Sequence, residues 1–300
     1  MSYGGQYQER GTRIPVRLII AVVIAGIGLV SYMMNTQVNP VTGEKQHIAM
    51  SVDQEMRLGL QAAPEMAAKM GGAIDRNDPR ARIVSEVGRR LVEEGDASRS
   101  PYEGNFHFTL LDDPETVNAF ALPGGQIFIT LGLFNKLADE AELAGVLGHE
   151  IGHVIHRHTA QQMAKGQLGT ALTTAVAVGA SDNRDNRGRQ AAMAAMLANQ
   201  MIQLHYGRHD ESQSDTYGLR AMAQAGYDPS AMLDVMRVLK AASGGARQPE
   251  FLSSHPLPES RLEELQKELA DAYPNGVPRD LSRGRSLERF HEESGPSYEG

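Results

Sequence analysis

The stretch AGVLGHEIGHVIHRH, residues 144–158, places several histidines and a glutamate in a segment that otherwise reads as a buried helix. His149 and His153 are four residues apart, so on an α-helix their imidazoles lie on one face and can converge on one ion. Glu150 completes the pattern HExxH, in which two histidines bind Zn²⁺ and the glutamate acts on water. The stretch therefore predicts a helical zinc site.

Two glycines, Gly148 and Gly152, stand beside the predicted ligands. A glycine costs about 1 kcal/mol in a helix interior, so we expect both to leave room for metal, water and substrate. The helix is predicted to begin near Asp139, because acidic residues follow there and the helix dipole favours them in a first turn.

The third ligand is predicted to be a carboxylate from a second helix. A metzincin would need histidine at position 159, which is threonine, and the deformylase pattern needs a cysteine, which the chain lacks. Glu211 is the candidate, with Asp215 four residues later on the same face, where it can accept a hydrogen bond from a ligand histidine. His205 and His209 form a rival i, i+4 pair that could hold a metal with Glu211, but that arrangement leaves HExxH unexplained.

Three further histidines are weighed by position. His156 and His158 do not share the face of the HExxH histidines, so we expect both to be structural. His255, in SSHPLPES, is typical of a surface or turn residue on its position alone.

Composition limits the partners and the metal ligands. The 300-residue chain has a formal net charge of −8 and no cysteine. A nucleic-acid surface needs a basic excess, so we expect no nucleic-acid partner. A metal site must use histidine and carboxylate side chains.

The apolar run LIIAVVIAGIGLVSYMM, residues 18–34, predicts a transmembrane anchor. Arginines precede it, so the positive-inside rule keeps residues 1–17 in the cytoplasm and sends the rest across the membrane. No small-x-small cleavage site follows, which favours a retained anchor. Residues 35–49 are interpreted as a linker.

The remaining chain predicts an α+β domain over residues 50–273 and a polar, flexible tail over residues 274–300. Residues 168–180 are apolar but too short to span a bilayer, and we interpret them as core, with an apolar surface that docks on a partner or a membrane as the alternative. Helical patterns cover residues 51–72, 78–95, 228–242 and 259–272, and further helices begin at about 139 and about 191. Strand patterns cover residues 106–110 and 126–130, which are joined through NAFALPGG.

Four blocks of the chain resemble the gluzincin family of HtpX-like and BepA/LoiP-like membrane-associated zinc metallopeptidases. They are NAFALPGGQIFITLGL, ELAGVLGHEIGHVIHRH, ESQSDTYGLRAMAQAGYDP and SSHPLPESRL, in the family's order between residues 118 and 262. The resemblance implies a mostly helical zincin domain with a small sheet, whose edge strand precedes the HExxH helix. The family usually has alanine before the aspartate of the third block, where this chain has Ser214.

The resemblance also implies roles for single residues. His149, His153 and Glu211 would be the zinc ligands, and Glu150 would be the general base. Asp215 would be the carboxylate that accepts a hydrogen bond from a ligand histidine. His255 would lie near the metal, where it could stabilise an oxyanion or occupy the open coordination position in a latent state. Extended substrate would add to the strand that contains Gly125, Gln126, Ile127, Phe128 and Ile129.

Two functions from different classes follow. The first is an endopeptidase of the inner membrane, with its catalytic domain on the periplasmic side, that degrades misfolded envelope proteins. The second is a zinc-stabilised scaffold or chaperone that binds such proteins without cleavage. Glu150 favours the enzyme, because a scaffold needs the ligands but not the base.

Overall fold

The computed structural model describes residues 15–180, 206–243, 249–256 and 259–291. The predicted helix near residue 191, His205 and most of the predicted cytoplasmic segment lie outside this part of the chain. The helices are α1 Val16–Met34, α2 Val52–Lys69, α3 Pro79–Glu94, α4 Leu131–Phe134, α5 Glu140–Ile155, α6 His158–Ala180, α7 Arg208–Gln224, α8 Ala231–Ser243, α9 Phe251–Ser254, α10 Glu259–Ala272 and α11 Glu288–His291. The strands are β1 Thr36–Val38, β2 Lys45–His47, β3 His107–Leu111, β4 Ala119–Leu122 and β5 Gln126–Thr130. The mostly helical α+β fold is confirmed.

Helix α5, which contains HExxH, lies at the centre of the core. Asp139 caps it by accepting a hydrogen bond from the Glu142 N–H at 3.0 Å. Every residue of α5 is buried, because α3, α7, α8 and β4 surround it. The candidate ligands on α5 are thus held by core packing.

The main sheet has the strand order β3-β5-β4. Strand β5 pairs in parallel with β3 and antiparallel with β4, so its N–H and C=O groups are used on both sides. The prediction that substrate adds to this strand as a free edge is therefore wrong. It concerned the segment Gly125, Gln126, Ile127, Phe128 and Ile129. The edge strand that packs on α5 is β4, in the stretch NAFALPGG that we interpreted as a connection.

The predicted linker over residues 35–49 is instead a β-hairpin, formed by β1 and β2, that packs on the C-terminal end of α5. The side-chain amide of Asn39 donates to the Ile155 carbonyl at 2.8 Å, and that of Gln46 to the His156 carbonyl at 2.9 Å. Both carbonyls lie at the end of a helix, where no following turn supplies an N–H donor. The buried side-chain amides supply those donors instead. The hairpin thus ties α1 to the metal helix.

A buried ion pair fixes the same end of α5. Arg157, which has a positive φ of 57°, ends the helix and donates from Nε to Glu55 Oε1 at 2.8 Å. The Tyr102 hydroxyl donates to the other Glu55 oxygen at 2.9 Å, and Arg157 also reaches the Met50 carbonyl at 2.8 Å. Both charged side chains are buried, so each depends on the other for its charge balance.

The first part of the predicted flexible tail packs on the N-terminal end of α5. Leu287 is fully buried and its N–H donates to the Ala138 carbonyl at 2.8 Å. Arg283 forms ion pairs with Asp139 and Glu142 at 2.7 and 3.0 Å. The prediction of a flexible tail is therefore wrong for residues 282–290, and residues 292–300 lie outside the described chain.

Helix α1 is, among the described helices, the one long and apolar enough to cross a membrane, with a mean hydropathy of 2.2. Helix α6 packs along it. Residues 168–180 belong to α6, and most of their described side chains are exposed or half-buried. Our interpretation of this run as core is wrong, because its neighbour is α1 and not the domain.

Replacing Glu55 by alanine should strongly destabilise the protein, because the guanidinium of Arg157 would stay buried without its partner. Breaking a buried pair in this way costs about 3–5 kcal/mol in the free energy of unfolding, which denaturant titration would measure. The control is Glu65→Ala on the same helix, whose ion pair with Lys69 is exposed. Equal losses in the two variants would contradict this role of the pair.

Candidate metal centre

Four side chains that can bind a metal converge in the core: His149, His153, Glu211 and His255. Their ligand atoms lie within 4.8 Å of one another, and all four side chains are buried. The first two come from α5, Glu211 from the first turn of α7, and His255 directly follows α9. The structure thus brings the three predicted ligands together and adds a fourth donor.

Several distances between these donors are close to those expected of ligands that share one metal ion. The Nε2 atoms of His149 and His153 are 3.0 Å apart, and each lies 3.5 Å from an oxygen of Glu211. Nδ1 of His255 lies 3.3 Å from Nε2 of His149 and 2.9 Å from Oε1 of Glu211. Tetrahedral ligands at about 2.0–2.1 Å from zinc are roughly 3.3–3.4 Å apart. The nitrogen and oxygen donors therefore fit one zinc-sized ion.

Glu150 is fully buried beside the cluster. Neither of its carboxylate oxygens has a hydrogen-bond partner among the described residues, although His255 Nε2 lies 3.6 Å from Oε1. Burial raises the pKa of Glu150 above its usual value, against the opposing effects of His255 and His149. An unpaired buried carboxylate destabilises a fold, so this placement indicates a group retained for chemistry.

Asp215 and Arg261 orient the ligands through hydrogen bonds and ion pairs. Asp215 Oδ1 lies 2.8 Å from Nδ1 of His149, which directs Nε2 of that ring into the cluster. Arg261, from α10, donates to both Asp215 oxygens at 2.5 and 2.7 Å and lies 2.5 Å from Glu211 Oε2. One guanidinium therefore fixes both carboxylates of α7 in the charge-assisted, bidentate manner typical of arginine.

Arg261 was not singled out from the sequence, although a signal for it exists. It precedes the buried Leu265 and Leu269 by four and eight residues, so it lies on the apolar face of α10. An arginine in that stripe must find a buried acidic partner. The periodicity therefore predicts its burial, but not which carboxylates it meets.

The pKa values of the ligands suit a cation. Burial alone would raise the pKa of Glu211, but the neighbouring histidines and Arg261 hold it well below its usual range. Burial would likewise raise the pKa of Asp215, yet Arg261 and His149 lower it. Burial lowers the pKa of His153, which leaves a neutral imidazole able to bind metal. The cluster therefore offers a metal ion an ionised carboxylate at Glu211 and a neutral imidazole at His153, the forms in which these side chains bind metal.

Gly148 and Gly152 do not line open space, contrary to our expectation. A Cβ at Gly152 would lie 2.9 Å from the Cα of Ser214, and one at Gly148 would lie 3.3 Å from the Cα of Gly218. Both glycines face α7 and allow the two helix backbones to approach closely. They therefore serve the site by bringing the carboxylates of α7 within reach of the histidines of α5.

Among the described residues, His156, His158 and His209 lie outside the ligand cluster. Nδ1 of His158 is 3.0 Å from Nδ1 of His153, so it contacts the ring on the side away from the other donors. His156 lies at the end of α5 with Nδ1 3.7 Å from Glu44. His209 is exposed on α7. Tyr206 packs on His153 with ring centroids 4.1 Å apart.

Comparison with known proteins assigns the chain to a family. The model described as peptidase family M48 matches residues 78–269, which is more than half of the chain. The chain belongs to peptidase family M48. The match begins at the first residues of α3 and ends within α10, so it includes all four donors, Glu150, Asp215 and Arg261. The metallopeptidase resemblance stated from the sequence is confirmed.

Curated relatives carry metallopeptidase names. The chain is 30% identical over 252 residues to the beta-barrel assembly-enhancing protease of Escherichia coli (strain K12), which is 82% of this chain and 50% of that protein. It is 29% identical over 256 residues to mitochondrial metalloendopeptidase OMA1 of Schizosaccharomyces pombe, 85% of this chain and 72% of that protein. It is 28% identical over 253 residues to mitochondrial metalloendopeptidase OMA1 of Homo sapiens, which is 81% of this chain and 48% of that protein. The chain spans about half the length of the beta-barrel assembly-enhancing proteases it matches.

The Gly152→Ala variant should bind metal more weakly than the parent, because its new methyl group forces α5 and α7 apart. Such overpacking also costs about 1–3 kcal/mol of stability. The matched control is Gly145→Ala on the same helix, where the Cβ would make an ordinary contact at 3.5 Å with Met232. Competition with a chromophoric chelator measures the affinities. Equal affinity in both variants would refute the role assigned to the close helix contact.

The Asp215→Asn variant should lose about 10–100-fold in metal affinity, the usual effect of removing a carboxylate that orients a ligand histidine. The side chain keeps its shape but no longer offers His149 and Arg261 a charged acceptor. Asp210→Asn, one turn earlier on α7, is the control and should retain the parent affinity. An unchanged affinity for Asp215→Asn would show that this carboxylate does not orient His149.

Proposed function

We propose that the protein is a membrane-anchored zinc endopeptidase that hydrolyses extended or unfolded polypeptides. The observation that carries this proposal is the buried carboxylate of Glu150, which has no hydrogen-bond partner among the described residues and lies beside three donors from two helices. A metal site that served only stability would need the donors but no adjacent free carboxylate. Membership of peptidase family M48 supports the same reading.

His149, His153 and Glu211 would hold the zinc. When bound, zinc lowers the pKa of a water to about 7 and polarises a peptide carbonyl. Glu150 would accept a proton from the attacking water on its carboxylate and return it to the leaving amine.

The free edge of β4 is the proposed substrate strand, in place of β5. The Thr130 N–H donates to the Asn118 carbonyl, so even-numbered residues of β4 pair with β5 and odd-numbered ones point outward. The outward backbone groups of Ala119 and Ala121 could pair with an extended peptide. Recognition through backbone hydrogen bonds suits unfolded chains of varied sequence.

His255 is proposed to keep the site latent. Its Nδ1 lies among the predicted zinc ligands, and a fourth protein ligand would leave no open position for substrate. Its segment also blocks the substrate edge, because the Phe251 N–H donates to the Val117 carbonyl at 3.2 Å, on the outward side of the strand. Withdrawal of this one segment would free both a coordination position and the strand edge.

The proposed location is the inner membrane, with α1 as anchor and the catalytic domain in the periplasm. Arg10, Arg13 and Arg17 would remain in the cytoplasm. The Escherichia coli relative is named for enhancing beta-barrel assembly, which supports misfolded envelope proteins as substrates of this chain.

The deciding comparison is casein cleavage by the full chain and by Glu150→Gln, with zinc content measured in both. We expect the parent to cleave slowly, through the molecules in which the His255 segment is withdrawn, and the variant to keep its zinc without cleaving, because only the base is lost. Glu142→Gln, an isosteric change two turns earlier on α5, controls for effects on the helix. If the parent binds zinc and neither His255→Ala nor the parent cleaves casein, the scaffold reading is favoured.

Replacing His255 by alanine should raise the rate of casein cleavage while zinc stays bound, because three ligands remain and a coordination position opens. The measurement is turnover per zinc, compared with the parent. A fall in turnover with full zinc content would instead assign His255 to stabilisation of the oxyanion.

A further inference from the structure

Helix α6 leaves the metal centre and runs along α1, away from the domain. His158 begins α6 three residues after α5 ends at Ile155, and its Nδ1 lies 3.0 Å from Nδ1 of His153. Gly28 of α1 approaches α6 so closely that a Cβ there would lie 2.7 Å from the Cβ of Ala171. Small buried residues on the two helices are Ala21 on α1 and Ala160, Ala164 and Ala175 on α6. Contacts between small residues are typical of helix pairs in membranes.

The two helices are antiparallel. Tyr32 and Asn35, near the end of α1, line the same cavity as Ala164 and Leu168, while the earlier Gly28 meets the later Ala171. Helix α6 therefore runs beside α1 towards the N-terminal end of α1. Residues 168–180 extend roughly 20 Å at 1.5 Å per residue, about two thirds of the hydrocarbon thickness of a bilayer.

The outer face of α6 is chemically suited to lipid. Residues 166–180 contain no Asp, Glu, Lys or Arg. Leu172 and Val176 project from the helix with 44% and 71% of their surface exposed. The hydroxyls of Thr173 and Thr174 donate to backbone carbonyls four residues earlier at 2.8 Å, so their polar groups are satisfied within the helix.

We propose that residues 168–180 of α6 are embedded in the bilayer beside α1, with acyl chains as the partner of the face that contains Leu172 and Val176. This proposal rests on the anchor role of α1 in the proposed function. A water-exposed helix would be expected to carry charges on its outer face, and this one carries none over residues 166–180. Because α6 follows α5 directly, the embedded segment holds the metal centre at most roughly 15 Å above the membrane surface, the length of residues 158–168.

The chain lacks cysteine, so single-cysteine variants can carry a spin label without background. The full chain, labelled at position 172 or 176, would be reconstituted into phosphatidylcholine and phosphatidylglycerol vesicles. Val22→Cys on the exposed face of α1 is the reference for lipid, and Leu60→Cys, at an exposed leucine of α2, is the reference for water. The zinc content of each variant verifies that its fold is intact.

The measurement is the ratio of collisional accessibility to oxygen, which concentrates in lipid, and to a water-soluble nickel chelate. We expect the ratio to exceed one at positions 172, 176 and 22, and to fall below one at position 60. Ratios below one at 172 and 176, or protection from both reagents, would overturn the α6 proposal while leaving the anchor intact. A ratio below one at position 22 would overturn the anchor and the α6 proposal together.

Discussion

The close approach of α5 and α7 determines where the candidate ligands lie. At Gly152, the backbones are near enough that a methyl group would meet Ser214. This spacing places Glu211 within 3.5 Å of both HExxH histidines and Asp215 within 2.8 Å of His149. A metal centre made of side chains from two helices needs such a contact, because a shift of about 1 Å would separate the donors.

The parts of the site that are predictable from the sequence are those with a local pattern. The i, i+4 spacing of His149 and His153 places both rings on one helix face, whatever surrounds the helix. The same spacing relates Glu211 and Asp215, and here the structure directs both towards α5. Helix α10 was likewise predicted over the residues it occupies, because its apolar period and polar face are both strong.

What the sequence did not reveal depends on tertiary contacts. The polar stretches on either side of the domain look like linker and tail, yet they pack on the two ends of α5, through Asn39 at one end and Leu287 at the other. Strand order is also non-local, since β4 and β3 both pair with β5 and nothing in an apolar run states its position in a sheet. The alignment of α6 with α1 joins residues more than a hundred positions apart, as the contact of Gly28 with Ala171 shows.

The most direct test of the account is X-ray absorption spectroscopy at the zinc edge of the purified full chain. The account predicts one zinc per chain with nitrogen and oxygen neighbours at about 2.0–2.1 Å. Imidazole scattering should come from three histidines, with one lost in His255→Ala. A zinc shell without imidazole, or one unchanged when His149 or His153 is replaced, would contradict the assigned metal centre.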